Sequence, residues 1–165
     1  MQLILCAGEK QRQGWTNHDV RRLDGIDIVC DLKLIKAHVP DNSCTDIEIT
    51  HALEHFPTKE VPEVLSIIYD LLQDNGKLYV EVPNFAWHAQ LLTEYRDDDA
   101  IYYAFGGQLD EYDFHKTGFT PEILERRLKE AGFKDIKISG HDSLKALCIK
   151  SQSLAQQSDL EVLSQ

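Results

Sequence analysis

The sequence has too few cysteines, too little basic charge and too little continuous apolar length for several classes of protein. Its four cysteines, Cys6, Cys30, Cys44 and Cys148, show no CxxC spacing and no disulfide-scaffold density. Three of them fall in expected strands, where a reduced cysteine behaves as a small apolar residue. A reducing, cytoplasmic compartment is the expectation. Seventeen Lys and Arg stand against 28 Asp and Glu, a formal charge of −11. Nucleic acid is therefore not an expected partner, because phosphate binding needs clustered basic residues. The tight basic pairs Arg21-Arg22 and Arg126-Arg127 read as solvated surface. No window is long and apolar enough to span a bilayer, so no membrane partner is expected. Met1 stands almost directly on an apolar strand, which leaves no room for a signal peptide.

What is present suits one soluble α/β domain. The 165 residues, 42% apolar and 27% charged, make one domain with a real core and are too few for two ordinary ones. Short apolar runs read as strands at Gln2–Cys6, Gly25–Cys30, Asp46–Thr50 and Lys77–Val82. Weaker strand signals lie at 15–19, 136–138 and 146–149. A helix is expected from Thr58, with Val61, Val64, Leu65, Ile68, Leu71 and Leu72 on its apolar side and Asp74-Asn75-Gly76 stopping it. A second helix opens at Thr120-Pro121-Glu122, a capping residue followed by proline and acid. Residues 84–96 read as helical and 33–44 as loop. Residues 97–118 read as an irregular insertion, and 151–165 as a polar tail. Strands alternating with helices or crossovers imply a doubly wound, mostly parallel sheet with an antiparallel last strand. The first crossover is too short for an ordinary helix, so either a tight loop replaces that helix or the second strand is vestigial.

The most informative stretch is Thr45 to Phe56, a strand running into a helix start with His51, Glu54 and His55 at the junction. Ligands of open α/β sheets sit at the carboxyl ends of strands. His51-Ala52-Leu53-Glu54-His55 also fits H-x-x-E-H, which on a helix would set two histidines on one face for zinc. A zinc hydrolase is thus one reading, although such enzymes need a further ligand and a larger chain; capping or packing is the ordinary fate of His55. His115, within Tyr112-Asp-Phe-His-Lys116, is open between substrate contact and loop packing. Trp15 and Tyr79 read as packing residues, and Asp97-Asp98-Asp99 as a solvated run rather than a metal site.

The chain resembles the class I S-adenosylmethionine-dependent methyltransferases. It is most similar to a small bacterial type (methyltransferase type 11-like) with a shortened first crossover, often predicted to act on sugars or surface polysaccharides. The resemblance rests on Leu3-Ile-Leu-Cys-Ala-Gly8, Gly14-Trp-Thr-Asn-His-Asp19, Ile28-Val-Cys-Asp31-Leu32, His51-Ala-Leu-Glu-His-Phe56, Leu72-Gln-Asp-Asn-Gly76, Val82-Pro-Asn84, Gly106-Gly-Gln108, Asp113-Phe-His-Lys116 and Gly118-Phe-Thr-Pro-Glu122. It implies a single S-adenosylmethionine-binding domain over 1–150, with 97–118 on the substrate side. It sets Cys6, Ala7 and Gly8 along the methionine part of the cofactor and Asp19 at the ribose hydroxyls. Asp31 and Leu32 fall at the adenine, and His51 beside the reactive methyl. His51 and His115 are the expected catalytic residues, and no metal ligand is expected. The implied reaction transfers a methyl group to a small acceptor, sugar-like if the hydroxyl-bearing Tyr102, Tyr103 and Tyr112 and the amide of Gln108 line the pocket. A homodimer stays open. One departure stands out, since the family usually has glycine where Cys6 stands. That side chain would crowd the cofactor, weaken its binding or point away. A non-catalytic protein that keeps the fold is the alternative reading.

Overall fold

The computed structural model describes residues 1–95 and 99–151; Asp97 and Asp98 of the acidic run, and all but the first residue of the tail, lie outside the described residues. Seven strands form one sheet: β1 (Gln2–Leu5), β2 (Thr16–Asp19), β3 (Ile28–Val29), β4 (Cys44–Thr50), β5 (Leu72–Pro83), β6 (Phe133–Ser139) and β7 (Ser143–Lys150). Their spatial order is β3-β2-β1-β4-β5-β7-β6. The pairs from β3 to β5 are parallel, and β7 runs antiparallel to both its neighbours. The order reverses between β1 and β4, and the crevice at such a switch point is where ligands bind.

Strand β4 shows how the core forms. Cys44, Ile47 and Ile49 are buried, while Asp46, Glu48 and Thr50 stay partly exposed, the two-residue alternation of a pleated strand. The buried set meets Leu78 and Val80 of β5 and the apolar stripe of α1 (Val61–Leu71). Leu124 and Leu128 of α4 (Pro121–Glu130) complete that layer.

The capping geometry matches expectation for α4, where the Thr120 hydroxyl accepts from the Ile123 amide at 3.3 Å. It differs for α1. That helix begins at Val61 with proline in its first turn and Glu60 at the cap position without a side-chain cap, and Thr58 lies outside it, its hydroxyl donating to Thr117 Oγ1 at 2.9 Å. The helix also ends earlier, at Leu71; Asp74-Asn75-Gly76 forms an irregularity inside the long β5, with Asn75 at φ +61°. Residues read as loop at 33–44 include a 3-10 helix, Leu32–Ala37, started by Asp31. The insertion is not wholly irregular, since it contains α3 (Asp99–Phe105). It follows α2 (Phe85–Gln90) and the π-helical turn Leu91–Tyr95.

The short first crossover is resolved as a loop without a helix. Residues 6–15 connect two parallel strands, and the buried Asn17 replaces the missing helical hydrogen bonds. Its Oδ1 accepts from the Arg12 amide at 2.9 Å, and its Nδ2 donates to the Arg12 and Trp15 carbonyls at 3.3 and 3.1 Å. A polar side chain buried in a strand is stable when its partners are satisfied in this way. Arg12 closes the loop with an ion pair to Glu48 at 2.8 Å and lies 4.7 Å over the Trp15 ring. Trp15 is thus a packing residue, as expected.

Candidate active site

A cleft of about 590 Å³ opens along the carboxyl ends of β1, β2, β3 and β4, lined among others by Cys6, Asp19, Asp31, Leu32 and His51. A second cavity of about 230 Å³ adjoins it, lined by Glu54, His88, Tyr103 and His115 among others. His51, His55, Tyr102 and Asp113 line both, so they form the boundary between the two spaces.

The turn after β1 is held by side chains of β2. Asp19, 3% exposed, accepts from the Gly8 amide at 2.8 Å through Oδ2. Its Oδ1 accepts from the Arg21 amide at 2.8 Å and from Arg21 Nε at 3.1 Å. Burial alone would raise the Asp19 carboxyl, but these donors and the Arg21 charge outweigh it and hold the group below its ordinary value. His18 is fully buried beside it. Its Nδ1 accepts from the Cys6 amide at 3.3 Å, which requires that Nε2 carry the proton, and Nε2 donates to the Cys30 carbonyl at 3.0 Å. Ala7 N–H donates to the His18 carbonyl at 2.8 Å. The turn is thus rigid before any ligand arrives.

Cys6 adopts φ +53°, a left-handed conformation normally reserved for glycine. The turn has the backbone shape of a glycine although a side chain is present. Cys6 is half-buried on the cleft wall, and desolvation first, then the charges of Asp19, Asp31 and Glu54, push its thiol pKa up to about 12. It is neither a nucleophile nor a metal ligand in that state. Cys6→Gly should fold with near wild-type stability, since the relief of left-handed strain offsets the lost thiol packing. Cys6→Val sets a β-branched residue at the same φ and should destabilise by about 1–3 kcal/mol. Urea unfolding of the pair checks this, and equal midpoints would mean the turn relaxes away from φ +53°.

Asp31 accepts from the Lys33 amide at 2.9 Å through Oδ1, leaving Oδ2 without a partner among the described residues. Leu32 is buried beneath it. His51 has φ +49°, so the chain turns sharply after β4 and 51–55 is not a helix: only Leu53–His55 makes a 3-10 turn. This overturns the expected helix start, and with it the arrangement of His51 and His55 on one helical face. His51 Nδ1 lies 3.5 Å from Glu54 Oε1 and its Nε2 lies 3.6 Å from Glu81 Oε1. His115 lies across the boundary, its Nδ1 bonded to the Tyr103 carbonyl at 2.9 Å.

Several residues here were missed by sequence reasoning. Arg21 is not free surface charge: besides Asp19, it approaches Asp110 of the insertion at 3.9 Å. His88 is 4% exposed and stacks on Tyr103 with ring centroids 4.4 Å apart. Burial holds His18, His55 and His88 below the usual histidine value. The signal for His18 was available, because Asn17-His18-Asp19 is a polar run in a strand flanked by apolar strands. Of the hydroxyl- and amide-bearing insertion residues, Tyr102, Tyr103 and Tyr112 line the cavities and Gln108 does not.

A parallel sheet in this order, with an antiparallel β7 and a cleft bounded by an acid at the end of β2, defines the class I methyltransferase fold. The chain belongs to the methyltransferase-domain family, whose model matches residues 8–138. It is an enzyme of methyl transfer, and the expectation of S-adenosylmethionine as cofactor stands with that family. Solved structures share the fold. A SAM-dependent methyltransferase from Archaeoglobus fulgidus matches with a TM-score of 0.67 and 17% identity, over 90% of this chain and 85% of that one. The 1,6-didemethyltoxoflavin-N1-methyltransferase of Burkholderia thailandensis matches at 0.61 and 15% identity, over 92% and 71%. Human N-acetylserotonin methyltransferase matches at 0.57 and 14% identity, over 92% of this chain and 47% of that one. At such identities the likeness carries the fold alone. No curated protein matches the chain. Among the described residues, no helix is long and apolar enough to cross a membrane.

The residues present fit the cofactor. The cleft volume lies within the range of small-molecule sites. Its wall combines carboxylates at Asp19 and Asp31 with apolar Val20, Leu32, Ala52 and Phe56, acceptors for hydroxyl and amino protons beside surfaces for a purine face. The glycine-shaped turn at Cys6 supports the same fit.

Proposed function

We propose that S-adenosylmethionine occupies the larger cleft and that a small hydroxylated acceptor enters the adjoining cavity across the His51–Tyr102 boundary. The observation that carries this reading is the pair of joined spaces, with four residues lining both. Bound there, the cofactor supplies an activated methyl group on a sulfonium. Asp31 uses its spare Oδ2 to accept from the adenine amino group, and Leu32 packs on the ring. Asp19 already accepts three protein donors. It therefore offers the ribose its remaining lone-pair direction, and its larger task is to hold Gly8 and Cys6 in place.

His51 and His115 position the acceptor, and His51, being partly exposed and near two carboxylates, is the group suited to take a proton from it. Positioning is the larger part of such catalysis, since it makes the attack effectively unimolecular. The rings of Tyr102 and Tyr103 meet edge to face, with centroids 5.5 Å apart, and give the acceptor an aromatic corner with hydroxyls, which suits a sugar-like or other neutral molecule.

Calorimetric titration with S-adenosylmethionine and S-adenosylhomocysteine tests the cofactor half. Wild type should bind with micromolar affinity, and Asp31→Ala should weaken binding about tenfold, the loss of one hydrogen bond to a charged acceptor. The acceptor half is tested by transfer of labelled methyl to a panel of monosaccharides, phenols and amines. Absence of cofactor binding by the folded protein would refute the reading.

A further inference from the structure

Glu54 is a buried acid, 1% exposed, and neither of its carboxylate oxygens has a hydrogen-bond partner among the described residues. An uncompensated buried charge costs several kcal/mol, so the surroundings should show what compensates it. They show imidazoles, beginning with His51, whose Nδ1 lies 3.5 Å from Glu54 Oε1 without a hydrogen bond. Glu54, His55 and His115 each present a ligand atom, and these atoms lie within 4.8 Å of one another. His115 Nε2 is 4.0 Å from Glu54 Oε1.

We propose that Glu54, His55 and His115 form a divalent transition-metal site at the floor of the smaller cavity. The imidazoles are already arranged as ligands. His55 Nδ1 is bonded to the Phe114 carbonyl at 3.1 Å and His115 Nδ1 to the Tyr103 carbonyl at 2.9 Å. A carbonyl only accepts, so each Nδ1 carries the proton and each Nε2 keeps its lone pair. A backbone carbonyl on the far nitrogen is the common second-shell support of metal-bound histidine. The rings meet edge to face with centroids 4.9 Å apart.

The backbone fixes the two halves of the site together. The Glu54 carbonyl accepts from the Lys116 and Thr117 amides at 2.8 and 3.1 Å, and the His115 amide donates to Phe105 at 3.0 Å. Residues about sixty apart in sequence are thereby held in register. Two imidazoles and a carboxylate suit zinc, manganese, iron or cobalt, and are too nitrogen-rich for calcium or magnesium. Three protein ligands leave coordination positions open. On the function proposed above, and only on that reading, an acceptor oxygen in the smaller cavity would fill one of them.

The test is Co²⁺ titration of the full chain after chelator treatment and dialysis, followed by visible absorption and by calorimetry, without cofactor or acceptor. Wild type should bind one equivalent saturably, with ligand-field bands of a nitrogen- and oxygen-ligated ion. Glu54→Gln and His115→Gln should each weaken binding by about 100-fold or more, with thermal melts verifying the fold. If Glu54→Gln does not fold, wild type and the more accessible His115→Gln decide. No saturable binding by wild type overturns the site, as does binding that His115→Gln retains. Because the titration omits the cofactor, its failure leaves the methyl-transfer reading intact. A failure of cofactor binding leaves the metal site intact in turn.

Discussion

Asp19→Asn should abolish detectable cofactor binding and destabilise the fold by about 1.5–3 kcal/mol, although the two side chains have the same size. The carboxylate accepts from Gly8 N, Arg21 N and Arg21 Nε at once, and it can do so because both oxygens only accept. An amide presents one oxygen and one NH2 group. Either Gly8 or Arg21 would then face a donor across a buried contact, with nowhere to send its own proton. The Arg21 guanidinium would also lose its charged partner and its reason to lie over Gly8, where an added Cβ would come within 3.1 Å of Nη2. The β1 turn would lose the side chain that holds the Gly8 amide. Urea unfolding and calorimetry with S-adenosylhomocysteine measure both effects. A variant that binds like wild type would show that Asp19 neither shapes the turn nor contacts the ribose.

The acid dependence has a definite sign. The Asp19 carboxyl is depressed in the folded protein below 3.8. Its contribution is therefore complete above the unfolded value and is lost as pH falls through the native one. Its loss is confined to acid pH, well below the range in which histidines titrate.

How much of this was legible in the sequence depended on whether the signal was local. Strands β1, β4 and β5 and helix α4 were readable because their periodicity and caps lie within a few residues. The position of His51 at the cleft followed from a strand end in a parallel sheet, and those of Asp31 and Leu32 from the resemblance to the methyltransferases. What failed was mostly long-range. Thr58 looked like a cap, but it lies outside the helix and its hydroxyl meets Thr117, 59 residues away. His51 to His55 looked like a helix start, but φ +49° at His51 follows from its packing between Glu54 and Glu81. Arg21 looked like surface charge because its partner, Asp19, was assigned to a ligand instead. His115 was left open, and only the contact between the insertion and the turn after β4 brings it to Glu54. The loop replacing the first helix was half legible: its shortness was plain, but the role of Asn17 as its backbone partner was not.

His18 carries the other large effect, and it acts near physiological pH. The ring is fully buried, bonded at Nδ1 by the Cys6 amide and at Nε2 to the Cys30 carbonyl. Only the neutral ring satisfies both, since a proton on Nδ1 would confront the Cys6 N–H. Burial lowers its pKa from 6.5, outweighing the Cys30 carbonyl and the charges of Asp19 and Asp31, which act in the opposite sense. The unfolded chain therefore takes up a proton first as pH falls below 6.5. The stability that neutral His18 contributes is full above that value and is lost as pH falls through the native pKa. His18→Leu keeps the apolar volume but leaves a buried donor and a buried acceptor without partners, at about 1–3 kcal/mol each. The variant should be destabilised by about 2–6 kcal/mol at neutral pH and should show a flatter stability profile below 6.5 than wild type. His55 and His88, also depressed by burial, keep a smaller slope in the variant. The same proton should loosen the Cys6 turn, so wild-type affinity for S-adenosylhomocysteine should fall over that window faster than the fold melts. Parallel profiles for variant and wild type would mean that another group carries the acid sensitivity and that the turn stands without His18.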